Sequence, residues 1–102
     1  MKESDIQSAI ICALAEHPLV AWVYVTSAGS VRVRGGYVKV GIKGMPEIMG
    51  QMRSGKLLGI EVKKPKEKPK PEQFEFLHMI AKNGGISGWC SSVEGAIEII
   101  EK

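Results

Sequence analysis

The sequence predicts a mixed α/β domain whose elements run helix, three or four strands, helix, strand, helix. Three observations carry this expectation. Apolar residues at helical spacing, with start and stop signals, open the chain, close it, and recur near residue 75. Runs rich in β-branched and aromatic residues, broken by glycines, fill the middle. A lysine- and proline-rich segment then separates the strands from the second helix.

Ser4-Asp5-Ile6-Gln7 fits a capping box, Ser4 accepting from the backbone at Gln7 while the Gln7 side chain reaches back. Ile6, Ile10, Ala13 and Leu14 then share one helical face until Pro18 stops the helix near His17. Glu3 falls just before or within the first turn, near the positive end of the helix dipole, where a solvated acid is the simplest reading. Val20 to Thr26 reads as a strand. After the turn Ser27-Ala28-Gly29-Ser30, Val31 to Arg34 either extends a hairpin or forms a basic loop. Gly35-Gly36 breaks the chain, and Tyr37 to Val40 is a short strand or the arm of a flap.

Pro46 cannot sit inside a central strand, so Glu47 is expected at the beginning of one. Ile48 to Met52 forms that strand, Arg53-Ser54-Gly55-Lys56 the turn, and Leu57 to Lys63 the return strand. Antiparallel pairing across this turn brings Glu47 to the Glu61–Lys63 end of its partner. Because side chains alternate along a strand, Ile60 and Val62 facing the core leave Glu61 and Lys63 together on the other face. Pro71 suits the first position of the next helix, which runs to about Lys82 and stops at Asn83-Gly84-Gly85. Gln73, with Leu77 and Ile80 at i+4 and i+7, lies on the inward stripe. Its amide either bonds backbone or meets a metal-bound water or a phosphate. Ile86 to Cys90 reads as a strand, Ser91-Ser92-Val93-Glu94 as a second capping box, and Val93, Ala96, Ile97 and Ile100 as the apolar face of a terminal helix.

At 102 residues the chain is expected to form one domain, 1–102, with a single core. No apolar run approaches the ~20 residues of a membrane span and no signal segment opens the chain, which predicts a cytoplasmic protein. Cys12 and Cys90 are expected as free buried thiols, and neither belongs to a CxxC pair that would suggest zinc. Net charge is only +3, yet residues 30–70 hold eleven of the fourteen basic residues against three acids, Glu47, Glu61 and Glu67. Such a basic centre argues for a polyanionic partner, most simply nucleic acid. Lys64, Lys66, Lys68 and Lys70, with Lys43, Arg32 and Arg34, are the candidate phosphate contacts; a merely solvated loop is the alternative.

An acid followed some residues later by Glu-x-Lys in an apolar strand suits hydrolysis of a phosphodiester. Magnesium takes oxygen ligands and keeps waters, so Glu47, Glu61 and the Val62 carbonyl are candidates to hold one or two ions. Lys63 is then placed to orient or help deprotonate a water, or to stabilise transition-state charge. The competing interpretation of Glu61 and Lys63 is an ion pair on a solvated face. Trp22, Tyr24 and Trp89 are expected in the core or at a dimer interface, with stacking on an unpaired base as the alternative, and the lone His17 and His78 carry no catalytic pattern.

Taken together, Gly44-Met45-Pro46-Glu47, Ile60-Glu61-Val62-Lys63-Lys64-Pro65, Gln73 near a helix start, and Glu3 with Gln7 at the opening resemble the VRR-NUC family of the PD-(D/E)xK nuclease superfamily. The similarity spans essentially the whole chain. It implies an α/β, restriction-endonuclease-like core, a mixed central sheet flanked by helices in the order α-β-β-β-α-β-α. It also implies a DNA endonuclease dependent on Mg2+ or Mn2+, with Glu47 and Glu61 as metal ligands, Lys63 as the catalytic lysine, Gln73 as the active-site glutamine and Glu3 as the acid from the first helix. Family members of this length look like virus-type enzymes, which would act in a host-cell cytoplasm. They are expected to pair as homodimers and include proteins that cut branched DNA such as four-way junctions. The family's usual aspartate after proline is Glu47 here; one extra methylene moves the carboxylate by about one bond length and bears on the choice of metal. A non-catalytic nucleic-acid-binding module with the same fold, and a structural subunit, are the rival functions.

Overall fold

A computed structural model describes the backbone of residues 2–26, 29–40 and 42–102, and the side chains of 2–26, 34–36 and 42–102. In chain order the elements are α1 (Glu3–Glu16), β1 (Val20–Val25), β2 (Gly29–Val33), β3 (Gly36–Val40), β4 (Ile48–Met52), β5 (Leu57–Val62), α2 (Pro71–Lys82), β6 (Ile86–Cys90) and α3 (Val93–Glu101). The main sheet is mixed, with strand order β1-β4-β5-β6: β1, β4 and β5 pair antiparallel, and β5 pairs parallel with β6 through the crossover that contains α2. β2 and β3 form a separate two-stranded hairpin. The glycine-punctuated middle therefore contributes two strands beyond the sheet, making five before α2, and the main-sheet order is the expected α-β-β-β-α-β-α.

The sheet is covered on both faces, which is why β5 reads as a nearly continuous apolar run. Leu58, Ile60 and Val62 join Ile6, Ile10 and Leu14 of α1 and Ala96 and Ile100 of α3 in the principal core. Burying each such aliphatic side chain contributes about 1.5–3 kcal/mol. The other face, carrying Gly59 and Glu61, lies under α2, whose Ile80 reaches Gly59. At the far ends of α1 and α3, His17 accepts from the Leu19 N–H through Nδ1. The remaining ring nitrogen, Nε2, is thereby left to donate to Glu101 at 2.9 Å.

Helix starts differ in detail from expectation. α1 begins at Glu3 with Lys2 as its N-cap, and Asp5 accepts from the Lys2 N–H at 3.3 Å. Ser4 is therefore already inside the helix, and Gln7 is free for another partner. α3 is capped by Ser92 rather than Ser91, its hydroxyl accepting from the Gly95 N–H at 3.0 Å. Cys12 is exposed, in contrast to the expected burial, whereas Cys90 is buried and its thiol pKa is raised by that burial; both are free.

The basic segment is shaped by a turn in which the Glu67 N–H donates to the Lys64 carbonyl at 3.0 Å. Pro65 occupies its second position and Lys66 its third, with φ of +74°, where a type II turn normally takes glycine. A left-handed lysine is disfavoured by roughly 1–2 kcal/mol, partly offset in a Lys66→Gly variant by the greater unfolded-state freedom of glycine. Lys66→Gly is expected to stabilise the fold by about 0.5–1 kcal/mol, seen as a rise of a few degrees in thermal midpoint. An unchanged or lowered midpoint would count against the strain.

Candidate active site

The β4–β5 register ends at Ile48 opposite Ile60, and one further step sets Glu47 opposite Glu61. Glu47 precedes the strand and is held by neighbours distant in sequence. The Thr26 N–H donates to the Glu47 carbonyl at 2.8 Å, and the Thr26 hydroxyl donates to the Pro46 carbonyl at 2.9 Å. The Pro46 side chain is fully buried. Gln7, released from any capping role, donates from Nε2 to Glu47 Oε2 at 2.7 Å. Gly44, with φ of +81°, lets the chain pass directly over the start of α2, where a Cβ would run into the Glu72 carbonyl.

Glu61 is completely buried, at 0% exposure, and neither of its carboxylate oxygens has a hydrogen-bond donor among the described residues. Burial is the main reason its pKa is pushed up to about 8; the Glu47 carboxyl adds to the rise, as does Glu3, and Lys63 opposes it. Two ionised carboxylates cannot hydrogen-bond each other, so Glu61 and Glu47 can do so only by sharing a proton. Glu3, half-buried at the first position of α1, is also raised, by burial and then by Glu47, against the pull of Lys63. Lys63 is 9% exposed, and its N–H donates to the Cys90 carbonyl at 2.9 Å, which fixes the chain as it leaves β5. Glu3, Glu47, Glu61 and Lys63 are thus mutually felt at one end of β5. A solvated Glu61–Lys63 ion pair is excluded by this burial.

Gln73 is half-buried in the first turn of α2, where its Oε1 accepts from the Lys70 N–H at 2.7 Å. One end of the amide is therefore structural, and Nε2 has no partner among the described residues. Lys43, Lys64, Lys66, Lys68, Lys70 and Arg34 are all exposed, with Pro69 buried beneath the basic segment. The side chains of Arg32 and Lys39 lie outside the described residues. Val62 places its side chain in the core. Trp22, Tyr24 and Trp89 are 48%, 51% and 39% exposed, so none is a core residue.

Two residues of the site escaped sequence reasoning, Gln7 as a ligand of Glu47 and Thr26 as its backbone anchor. Both act across more than twenty positions or from a different element, and no local pattern announces them. Among the described residues no three His, Cys, Asp or Glu side chains form a ready-made metal cage. A hollow of about 560 Å³ between the β4–β5 turn and the C-terminal half of α2, lined by Met49, Leu57, Phe76 and Met79, opens at the other end of β5 and contains none of these acids. No helix among the described residues is long and apolar enough to cross a membrane.

No family model matches the sequence, and no curated protein does. A solved structure described as a VRR_NUC domain aligns with a TM-score of 0.65 over 97% of this chain and 94% of its own, at 19% identity. With the mixed four-stranded sheet, the flanking helices and the element order already described, the chain has the restriction-endonuclease-like fold of a VRR_NUC domain.

Proposed function

We propose that this protein is a metal-dependent endonuclease that hydrolyses phosphodiester bonds in branched DNA and works as a homodimer. The observation that best supports this is Glu61, buried with both oxygens lacking donors and gathered with Glu47, Glu3 and Lys63. A buried carboxylate needs a partner, and a cation is the strongest one available. The donors on offer, Glu47, Glu61 and the Val62 carbonyl, are hard oxygens that suit Mg2+ or Mn2+, with waters completing the coordination. Such an ion, when bound, supplies a polarised phosphate and an acidified water. Lys63 holds an ammonium in a nearly dry setting, where it stabilises charge building on the phosphate oxygens and orients the attacking water. The free Nε2 of Gln73 is a donor for a phosphate oxygen or a water. Lys43, Arg34 and the lysines of 64–70 grip the DNA backbone, and pairing of two copies presents two sites to two strands of a junction.

Gln7 keeps the Glu47 carboxylate turned toward Glu61. Gln7→Leu is expected to weaken the metal dependence of cleavage about 10- to 100-fold, as loss of a group behind a metal ligand does, while stability changes by no more than about 1 kcal/mol. A metal titration of cleavage rate checks this; an unchanged midpoint would show that Glu47 needs no such support.

The function is tested by incubating labelled four-way junction, nicked duplex and linear duplex with Mg2+ or Mn2+. Cleavage of the junction is expected, abolished by chelator and by Lys63→Ala, with DNA binding retained. Binding without cleavage under either metal on any of these substrates would identify a non-catalytic binding module instead.

A further inference from the structure

Trp89 is the in-register neighbour of Glu61 across the parallel β5–β6 pair, about 4.8 Å away in the strand-to-strand direction. It lies on the α2 side of the sheet, where its ring meets Phe74 edge-on, with centroids 6.3 Å apart and planes at 86°. The two rings remain 39% and 43% exposed, whereas Leu77 and Ile80 of the same helix are buried. The backbone brings an exposed lysine near each ring. The Phe74 N–H donates to the carbonyl of Lys70, the exposed N-cap of α2. The Lys63 N–H donates to the carbonyl of Cys90, next to Trp89, which brings exposed Lys64 to the same end of the sheet.

We infer that Phe74 and Trp89 form a stacking platform for an unpaired nucleobase beside the carboxylates, so that the preferred substrate carries an unstacked nucleotide next to the phosphate that is cut. This rests on the nuclease reading and extends it to a class of substrate. Exposed aromatic faces between ammonium groups are the chemistry of single-stranded nucleic acid binding, in which rings take the bases and lysines the phosphates. An intact duplex hides its base faces and has nothing to offer these rings. A purely apolar protein partner would not be matched by a surface on which exposed Lys64 and Lys70 lie near the rings.

The chain holds two tryptophans, so Trp22→Phe leaves Trp89 as the sole tryptophan, read by excitation at wavelengths that tyrosine does not absorb. In chelator, where no cleavage proceeds, a short oligothymidylate is expected to quench that fluorescence and a blunt duplex is not. Trp89→Ala and Phe74→Ala are each expected to weaken oligothymidylate binding about 5- to 100-fold with duplex affinity unchanged, and Trp89→Phe to restore most of it. Circular dichroism on each variant establishes that the fold is retained. The platform is overturned if Trp89→Phe and wild type bind oligothymidylate no better than duplex and without quenching. It is likewise overturned if loss of the ring weakens both ligands equally, or if it converts a dimer to a monomer and so marks an interface between copies. Junction cleavage by wild type alongside any of these results removes the platform alone; quenching by oligothymidylate without cleavage under either metal removes the nuclease reading alone.

Discussion

Glu61→Gln is expected to lower DNA cleavage by at least about 10³-fold and, in the same metal-free protein, to raise folding stability above neutral pH. The amide keeps the shape of the side chain and removes the charge that burial penalises. In the folded protein the pKa of Glu61 stands at about 8, above its ordinary value of 4.5. Between those values the folded state retains a proton that the unfolded state releases, so stability from this group is undiminished below about pH 4.5, falls as pH rises toward 8, and is level thereafter. At about 1.4 kcal/mol for each unit between 4.5 and about 8, the loss is on the order of 5 kcal/mol for wild type and absent in the variant. Thermal melts in chelator at pH 5 and pH 8 should therefore show the wild-type midpoint falling relative to that of Glu61→Gln by roughly 10 °C or more. Mg2+ or Mn2+, which binds the ionised carboxylate, is expected to restore wild type more strongly at pH 8 than at pH 5. A wild-type midpoint that does not fall relative to the variant across this range would contradict the unpaired, proton-retaining state of Glu61.

Gly44→Ala is expected to destabilise the fold strongly and to disturb the site. The positive φ of this residue disfavours any side chain by roughly 1–2 kcal/mol. The added methyl group would also strike the Glu72 carbonyl, a rigid backbone atom at the start of α2, which adds about 1–3 kcal/mol of overpacking. Together these predict about 2–5 kcal/mol of destabilisation, measurable by urea or thermal unfolding. Whatever relaxation occurs must push Met45-Pro46-Glu47 away from α2, so cleavage should fall further than the residual folded fraction explains. Wild-type stability in this variant would mean that the approach of Gly44 to α2 is looser than described.

Much of this arrangement was legible because it is local. Pro46 forbids a strand interior, the Arg53-Ser54-Gly55-Lys56 turn sets the register, and the period of two along Leu57–Val62 then sends Glu47 and Glu61 to the same place. Pro71 and Asn83-Gly84-Gly85 delimit α2 for equally local reasons. The competing interpretation, a solvated Glu61–Lys63 ion pair, could not be dismissed from alternation alone, which identifies two faces but not what covers each; α2 covers the second. The capping box at Ser4 failed because Lys2 and Asp5 take the same roles two residues earlier, leaving Gln7 for Glu47.

Turn chemistry and side-chain alternation act over a few residues, and they suffice for the main-sheet order of elements, the pairing of β4 with β5 and the placing of two acids and a lysine at one end of that pair. The packing of distant elements is what leaves Glu61 dry and without a donor among the described residues, sets Gln7 and Thr26 to hold Glu47, and stands Trp89 beside Glu61. Burial and long-range hydrogen bonds depend on which elements pack together, and no short stretch of chain encodes that alone.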